Sequence, residues 1–548
     1  MTSKYQQLSS HANMMTKVMQ LKIEKSRFKN IALTLPLLLA SVNGFAQTTT
    51  TVDNKPLGGE SEYQYADAVQ LWRQTQNAAG MTIDSLGNRG YAAFGFMHQS
   101  GDFHRVQEGG QTNNITFFTE RYQHIGKYLY GYGSFRFDNG RTKDRAWSDV
   151  MRTYDSDPFI SGSSVFGKYD TQQFALKARL ASVAISNWRF GIGLNYTVGD
   201  LSRLRDPRSR SRYLDYQLTP SVNYTFGRHT IGLAGWYQRY KEKIPNITTV
   251  QQEPNLYYYQ MSGLEAVNGA VGTYQSYQRE YVNHDFGGEL TYGYHGEKFQ
   301  SVTALSIERG SEGIYEQYKR EPGHYTEYNY AVTSQNRIIT DGAVHHIDFA
   351  FKARQGYADE YRPQMVITTD SVHGYTSTTY TNLLTYKKRY QLKTADVSLH
   401  YRLNFTDGAA IANYLGIRGE FVAVSQKHLL PESEWNYNTT DINVEYGQSL
   451  LKNRRLWVEL NAGRHFSNKA DLRLAEPTTE YAENVWLVDQ DYYNADHWNG
   501  TLKVKYQFPL KIKGYRSMWY VGGYAKTVRA SHSRDFTTYG ITIGIFLL

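Results

Sequence analysis

The feature that most constrains this fold is a strict two-residue alternation of apolar and polar side chains. In the range 187–197 the even positions, from Trp188 to Tyr196, are all apolar or aromatic, whereas the odd positions are small or polar and include Arg189. A period of two places these sets on opposite faces of a β-strand. Aromatic residues at both ends of the apolar face are typical of a strand that contacts lipid.

The same alternation recurs along the chain, in the ranges 172–184, 344–353, 395–405, 501–508 and 539–548. A soluble sheet explains one such strand, but the repetition, with Arg, Lys and His on the polar faces, favours a barrel with lipid outside and a lumen inside. We therefore predict an all-β fold, a transmembrane antiparallel up-and-down β-barrel of about 18 strands, with about 16 strands as the alternative.

Short turns alternate with long connections, as in barrels of outer membranes, whose periplasmic turns are short and extracellular loops long. The predicted turns are 124–126, 185–187, 227–229, 295–297, 406–409 and 451–454. The predicted long connections are 138–169, 199–212, 241–278, 355–388 and 467–491. An even strand number places both chain termini in the periplasm.

The amino-terminal region predicts export from the cytoplasm. Basic residues from Lys17 to Lys29 precede an apolar run at 31–40 and a small-residue site that ends at Ala46, the pattern of a secretory signal. We predict cleavage after Ala46, with translation starting at Met1, Met14, Met15 or Met19. The predicted organisation is therefore a signal peptide at 1–46, a periplasmic lead with a short helix at 47–88, and the barrel at 89–548.

Composition narrows the classes of function. The 548 residues include 47 Tyr and no Cys, which excludes disulfide frameworks and Cys-ligated metal sites. The signal carries six Lys or Arg and one Glu, so its removal lowers the net charge from +9 to +4. More than half of the net positive charge therefore belongs to the predicted signal peptide, and we expect no nucleic-acid partner.

The range 61–79 predicts a helix in the lead, with Ser61 and Gln64 as a candidate capping box and Gly80 as its stop. This helix either docks at the periplasmic mouth of the barrel or forms a small plug in the lumen.

Three sets of residues are candidates for a binding role. The alternation predicts inward-facing charges, which either pair with each other or, in an open lumen, favour anions: Lys177, Arg179, Arg189, His346, Asp348, Lys352, Arg354, His400, Arg402, Arg418, Glu420, Lys503 and Lys505. An Arg-rich loop at 201–212 suits lipid A phosphates, nearby loop acids or an anionic ligand, or is merely solvated: Arg203, Arg205, Arg208, Arg210 and Arg212. A tyrosine-rich loop either binds glycans or peptides or packs against its neighbours: Tyr257, Tyr258, Tyr259, Tyr274 and Tyr277.

Enzymatic chemistry finds little support in the sequence. His345 and His346 point to opposite strand faces, and His346 with Asp348 is the pattern of a hydrogen bond in the lumen. The range 531–533, Ser-His-Ser, is the only candidate for a hydrolase and lacks a third member. We expect no enzyme activity, no cofactor and no metal site.

The 71–81 segment LWRQTQNAAGM, the signal ending in Ala-Gln and the Arg-Asp-Pro-Arg motif at 205–208 resemble an uncharacterised family of outer-membrane β-barrels from Bacteroidota, which is defined by a domain of unknown function. The resemblance implies a barrel in the bacterial outer membrane. The small lead and the strand count argue against transporters with about 22 strands and a large plug.

From these patterns we expect a channel or transporter for a small polar or anionic solute. The alternative is a closed barrel whose loops bind a glycan, a peptide or a partner protein. Expected partners are outer-membrane lipid, lipopolysaccharide and the barrel assembly machinery.

Overall fold

The computed structural model describes residues 58–84, 87–154, 157–245, 247–249, 256–271, 277–370, 372–512, 515–531 and 534–547. The predicted signal peptide, Tyr274, His532 and Ser533 lie outside the described residues. In the described part, no helix has the length and apolar character needed to cross a membrane.

The described chain is dominated by strands. In chain order they are β1 Arg89–Gly101, β2 Gln111–Ile125, β3 Leu129–Arg145, β4 Ser161–Gly162, β5 Gly167–Ser182, β6 Trp188–Arg203, β7 Arg210–Phe226, β8 His229–Ile244, β9 Tyr257–Gly263, β10 Ala266–Val271, β11 Arg279–His295, β12 Phe299–Tyr315, β13 Gly323–Thr340, β14 Ala343–Asp370, β15 Tyr375–Thr406, β16 Ile411–His428, β17 Ser433–Leu450, β18 Leu456–Arg473, β19 His497–Ile512, β20 Tyr515–Ala530 and β21 Asp535–Leu547.

Eighteen of these strands form one closed sheet, which confirms the predicted barrel and its larger strand count; the 16-strand alternative is wrong. Each strand pairs antiparallel with its neighbour, and β1 pairs with β21 from Gly90 opposite Leu547 to Gly101 opposite Phe536. This closure leaves the main sheet without a free edge. β4, β9 and β10 form a separate three-stranded sheet.

The outer surface of the barrel is apolar. Trp188, Phe190, Ile192 and Tyr196 of β6 are all exposed, as the alternation predicts, and Tyr539, Ile541 and Ile543 of β21 are exposed in the same way. Residues opposite one another in the register share a face, so the apolar band continues across the sheet.

The connections differ at the two ends of the barrel. At one end, which we call the turn end, strands join through short turns such as 126–128 and 227–228; at the other, the loop end, the longer connections lie. Two predicted connections are wrong: the 199–212 loop is only 204–209, and 355–388 is mostly strand, because β14 and β15 continue beyond the barrel as a long hairpin.

The helix in the amino-terminal segment is shorter than the predicted helix at 61–79. Helix α1 spans Glu60–Ala68, and two 3-10 turns follow at Leu71–Gln74 and Ala78–Thr82. The capping role falls to Gly59 and Glu62 rather than to Ser61 and Gln64, because the residue that precedes the helix is Gly59, two positions before the predicted cap. We call residues 58–84 the plug, since its side chains contact the inner wall, as described below.

Further short helices lie in connections. They are 3-10 turns at Gln317–Lys319 and Lys452–Arg454, a π-helical turn at Ala482–Trp486, and helix α2 at Leu487–Tyr493.

At the loop end, β4, β9 and β10 pack with residues 146–154 and 157–160 on one side of the barrel, and we call this assembly the lid. Its buried core includes Trp147, Phe159 and Tyr258. They pack against inward residues of β8 and β11–β15, among them Tyr281 and Tyr390. The apolar cluster holds the lid to that side of the rim.

Candidate functional site in the barrel lumen

Polar contacts hold helix α1 of the plug against the wall. Glu60 forms an ion pair with Lys505 at 2.8 Å, and Asp67 forms one with Arg89 at 2.8 Å. The Arg89 guanidinium is buried and also donates to Gln70 Oε1 at 2.6 Å. Ion pairs of this kind are sensitive to salt and to the loss of one partner.

The second half of the plug lies against β5, β6, β7 and β11. The Ala79 N–H donates to Ser221 Oγ at 3.1 Å, and the Gln76 N–H donates to Glu289 Oε1 at 3.0 Å. Arg179 donates from β5 to the Thr75 carbonyl oxygen at 3.2 Å. Together the two halves contact strands on all sides of the lumen at the turn end.

Gly191 of β6 allows the plug to lie close to the wall. A Cβ atom at this position would stand 2.2 Å from the Ala79 nitrogen, a backbone atom that cannot rotate away. Gly193, two residues along the same inward face, has its nearest neighbour at 3.6 Å from such a Cβ, an ordinary contact with Thr219. Only glycine therefore fits the plug contact at 191.

A cavity of about 720 Å³ lies at the loop end, beside β1–β3 and β19–β21 rather than beneath the lid sheet. Strand residues such as Gln99, Thr142 and Lys526 form its wall, and residues 103–109 and 151–154 reach over it. We call it the chamber. Its volume is that of a site for a small molecule.

The chamber is basic. Its charged lining side chains are Arg105, Arg145, Arg152 and Lys526 against the single carboxylate of Glu108, which pairs with Arg105 at 2.5 Å. Arg145 donates to neutral groups, including the Val150 carbonyl oxygen at 2.8 Å.

Lys526 contacts no carboxylate in the described part of the chain. Arg152 is paired with Glu312 and lies over the Tyr240 ring. The unneutralised charge on this side of the lumen therefore resides on Arg145 and Lys526.

The same bias extends through the lumen. At the paired positions of the described barrel strands, every inward-facing charged residue that is fully exposed is Lys or Arg. These residues include Arg136, Lys177, Lys352, Arg418, Lys503 and Lys526. The inward carboxylates are buried or half-buried, and several pair with neighbours, as Asp348 does with His400 at 3.5 Å. Water in the lumen therefore meets a positive surface.

The structure places the predicted inward charges in several groups. His400 also contacts Glu445 at 2.9 Å, and Arg402 reaches the plug by donating to Gln64 Oε1 at 3.0 Å. The remaining contacts link Lys503 with Glu459, Lys505 with Glu60, Arg354 with Glu327, and Arg189 with Thr225.

His346 is buried, Glu420 is half-buried, and Lys352 and Arg418 are exposed to the lumen. Lys177 and Arg179 line a small second cavity of about 170 Å³ beside the plug, with Arg73 and Asp84.

None of the predicted lumen residues lines the chamber. Its cations come from the ends of β3 and β20 and from two loops, which the strand alternation did not cover. The alternation in β20 could have identified Lys526 as an inward residue. The inward face of this strand is formed by Tyr520, Gly522, Tyr524, Lys526 and Val528.

The Arg-rich segment does not form a single exposed patch. Arg203 is buried and donates to Tyr169 and to the Val165 carbonyl oxygen, because the inward face of β6 extends as far as residue 203. Arg208 pairs with Asp206, and Arg205 donates to the Phe166 carbonyl oxygen. Arg210 and Arg212 are strand residues that face outward.

The tyrosine-rich loop contributes mainly to the lid. Tyr258 and Tyr259 are buried, Tyr277 is half-buried and stacks edge-on against Tyr258, and Tyr257 is exposed. This placement favours the packing alternative over a surface that presents tyrosines to a ligand. No group of three or more His, Cys, Asp and Glu side chains in the described residues is arranged to hold a metal ion.

Residues 78–547 match the model of a family of unknown function, DUF6850, and the chain belongs to this family. No curated protein matches it.

Solved structures of outer-membrane receptors are similar over most of the chain. The siderophore receptor PirA from Acinetobacter baumannii is 8% identical with a TM-score of 0.36, over 84% of this chain and 81% of that one. The outer membrane transporter YddB from Escherichia coli is 8% identical with a TM-score of 0.40, over 84% and 81%. The ferric yersiniabactin uptake receptor FyuA from Yersinia pestis is 11% identical with a TM-score of 0.37, over 84% and 80%. At these scores no property of theirs is transferred to this chain.

Proposed function

We propose that this protein is a gated outer-membrane barrel that passes a small anionic solute. The observation that carries the proposal is the sign of the most exposed charges in the lumen: at the paired positions of the described strands, the inward charged residues that are fully exposed are Lys or Arg, whereas the inward carboxylates are half-buried or buried. A positive lining favours entry of anions over cations. The apolar outer band supports placement in a lipid bilayer.

The solute enters from the loop end and rests in the chamber. There Lys526 has no carboxylate partner in the described residues and Arg145 is hydrogen-bonded only to neutral groups, so both charges attract a carboxylate or phosphate. The aromatic rings of Phe103, Tyr154 and Tyr492 on the same lining suit a solute that also has a flat or apolar part. The chamber therefore selects for an anion of small-molecule size.

Passage requires the plug to move. Ion pairs and one close backbone approach at Gly191 hold it, together with separate small apolar clusters in which Tyr63, Trp72 and Met81 pack against the wall. The polar contacts exchange with water at modest cost. The apolar contacts are divided among separate small clusters rather than joined in one core. The plug therefore serves as a gate rather than as a permanent wall.

The test uses Gly191→Ala, with Gly193→Ala as the matched control on the same face. In planar bilayers we expect little current from the native chain and from Gly193→Ala, and a stable current from Gly191→Ala, because the added Cβ collides with Ala79. In a gradient of KCl, the reversal potential should report anion selectivity. Lys526→Gln combined with Arg145→Gln in the Gly191→Ala background should reduce that selectivity.

A cation-selective current contradicts the anionic lumen. The absence of current from folded Gly191→Ala protein contradicts the gate, and it favours the alternative of a closed barrel with binding loops.

A further inference from the structure

Five basic side chains form a ladder on the outside of two adjacent strands, just beyond the apolar band at the loop end. They are Arg210 and Arg212 of β7 and Arg239, Lys241 and Lys243 of β8, and we call them the basic rim. The register sets their direction. Leu218 lies opposite Tyr237 on the outer face, and steps of two residues along each strand lead from this pair to Arg212 and Lys243.

Arg212 and Lys243 are directly opposite each other in the register. Side chains at such positions are about 5 Å apart at Cβ, and like charges there repel. Nearby anions, from the protein or from a ligand, offset this repulsion.

Two acids flank this pair on the outer face, because Asp200 lies opposite Arg212 and Glu280 lies opposite Lys243, but other cations of the rim also engage both carboxylates. Asp200 is engaged by Arg210, and Glu280 is shared by Lys241 at 2.5 Å, Lys243 at 3.8 Å and Lys319 at 3.9 Å. Arg212 forms no close ion pair in the described part of the chain, because the Asp200 opposite it is paired with Arg210. The Arg239 Nε is buried and has no hydrogen-bond partner there either.

The surface below the rim is apolar and continuous with it. Leu214, Tyr216 and Leu218 share the outer face of β7 with Arg212, so one strand carries lipid-facing residues and then cations within four steps. A free anion would contact only the cations of the rim. An amphiphile with phosphates above its acyl chains would contact both the cations and the apolar surface below them.

We propose that the basic rim binds the phosphates of a phosphorylated glycolipid in the outer leaflet, the chemistry of lipid A. The Arg212 guanidinium and the Lys243 ammonium hold one phosphate between them, and Arg239 and Lys241 engage its oxygens or a second phosphate. Only the location of the barrel is taken from the proposed function; neither the gate nor the solute enters.

The site differs from the one that the sequence indicates. Of the five arginines of the 201–212 segment, only Arg210 and Arg212 belong to it, and β8 supplies the other three cations. Because strands β7 and β8 pair antiparallel, residues about 30 positions apart in the chain form a single patch.

The experiment measures binding of lipid A with two phosphates to the full chain in detergent micelles, with lipid A stripped of phosphate and inorganic phosphate as further probes. Arg212→Ser combined with Lys243→Ser should weaken binding by on the order of tenfold. The control is Arg529→Ser, since Arg529 faces outward at the same end on β20 but lies opposite Asp535. The control should bind as the native chain does.

Heat-modifiable migration on gels checks that each variant is folded. If the double variant does not fold, Lys241→Ser alone replaces it, and Arg212→Lys with Lys243→Arg should retain binding. Unchanged binding by the folded double variant overturns the proposal, as does equal binding of phosphate-free lipid A by the native chain. Competition by inorganic phosphate at the lipid's own concentration overturns the lipid assignment. Binding in detergent needs no ion current, so failure here is distinct from failure of the gate.

Discussion

At the scale of single residues, Asp84 links the plug to pH. Its carboxylate accepts the Trp72 N–H at 2.7 Å, and burial raises the pKa of Asp84 from 3.8 to about 7, against the opposing effects of that bond and of Arg337. The folded plug therefore binds this proton more tightly than the unfolded chain does. The stabilisation is present in acid and is lost as the pH rises from about 4 to 7.

We expect hydrogen exchange in residues 71–84 to be slower at pH 5.5 than at pH 8 after correction for intrinsic rates. The difference corresponds to at least about 1 kcal/mol of local opening free energy. Asp84→Asn should remove most of this pH dependence, since an amide keeps the acceptor oxygen but does not titrate. Glu297→Gln, at an exposed turn position, is the control. An unchanged pH dependence in Asp84→Asn would show that another group is responsible.

The inward or outward direction of a residue follows from the alternation wherever the strand limits are right. The β6 pattern correctly gives Trp188 and Tyr196 as outward, and its extension by three steps also makes Arg203 inward and buried. The sequence predicts a long connection at 199–212, so its arginines are interpreted as loop residues and not by the alternation. An error of a few residues in the predicted end of a strand can therefore make a buried residue such as Arg203 look like an exposed loop residue that binds a ligand.

At the scale of elements, the β14–β15 hairpin was beyond the reach of the alternation. Beyond Glu360 and before Tyr390 its strands pair only with each other, because β13 and β16 end there. Neither face meets lipid, so the segment has no one-sided apolar pattern, and exposed side chains such as Val372 and Leu383 occur throughout. Where neither a bilayer nor a core makes the two faces of a strand different, its sequence shows no alternation of apolar and polar residues.

This hairpin should add little to the stability of the barrel. A two-stranded hairpin on its own is only marginally stable in water. Replacing 363–383 by Asn-Gly, which joins the paired residues Arg362 and Leu384, should leave the unfolding temperature within about 2 °C of the native value.

Tyr390→Ala is the contrasting change. Tyr390 is buried in the apolar cluster of the lid, and its replacement by alanine should lower the free energy of unfolding by about 3 kcal/mol. Circular dichroism melts of both variants make the comparison. A large loss on trimming the hairpin would show that it supports the rim.

At the scale of the whole molecule, the barrel and its strand number were predictable because each strand repeats one local rule. The chamber was not, since Arg105 and Arg152 lie in loops, and Arg145 and Lys526 lie on β3 and β20, far apart in the sequence. Their meeting depends on closure of the sheet between β1 and β21 and on how the loops fold over it. Such long-range placement is not contained in any local pattern.

The orientation of the barrel decides what both ends do. We expect the loop end to face the outside of the cell, because long loops are extracellular and short turns periplasmic in barrels of this kind. The chain has no cysteine, so a single introduced thiol reports without background. Val372→Cys at the hairpin tip is 84% exposed, and Tyr128→Cys in the turn after β2 is 72% exposed.

A maleimide that does not cross membranes should label Val372→Cys on intact cells and Tyr128→Cys only after lysis. Because both side chains are highly exposed, Tyr128→Cys after lysis is the control for reactivity. The reverse result would place the chamber mouth in the periplasm and the basic rim in the inner leaflet. The direction of solute entry would then be inverted, and the rim would face phospholipid headgroups instead of the phosphorylated glycolipid of the outer leaflet.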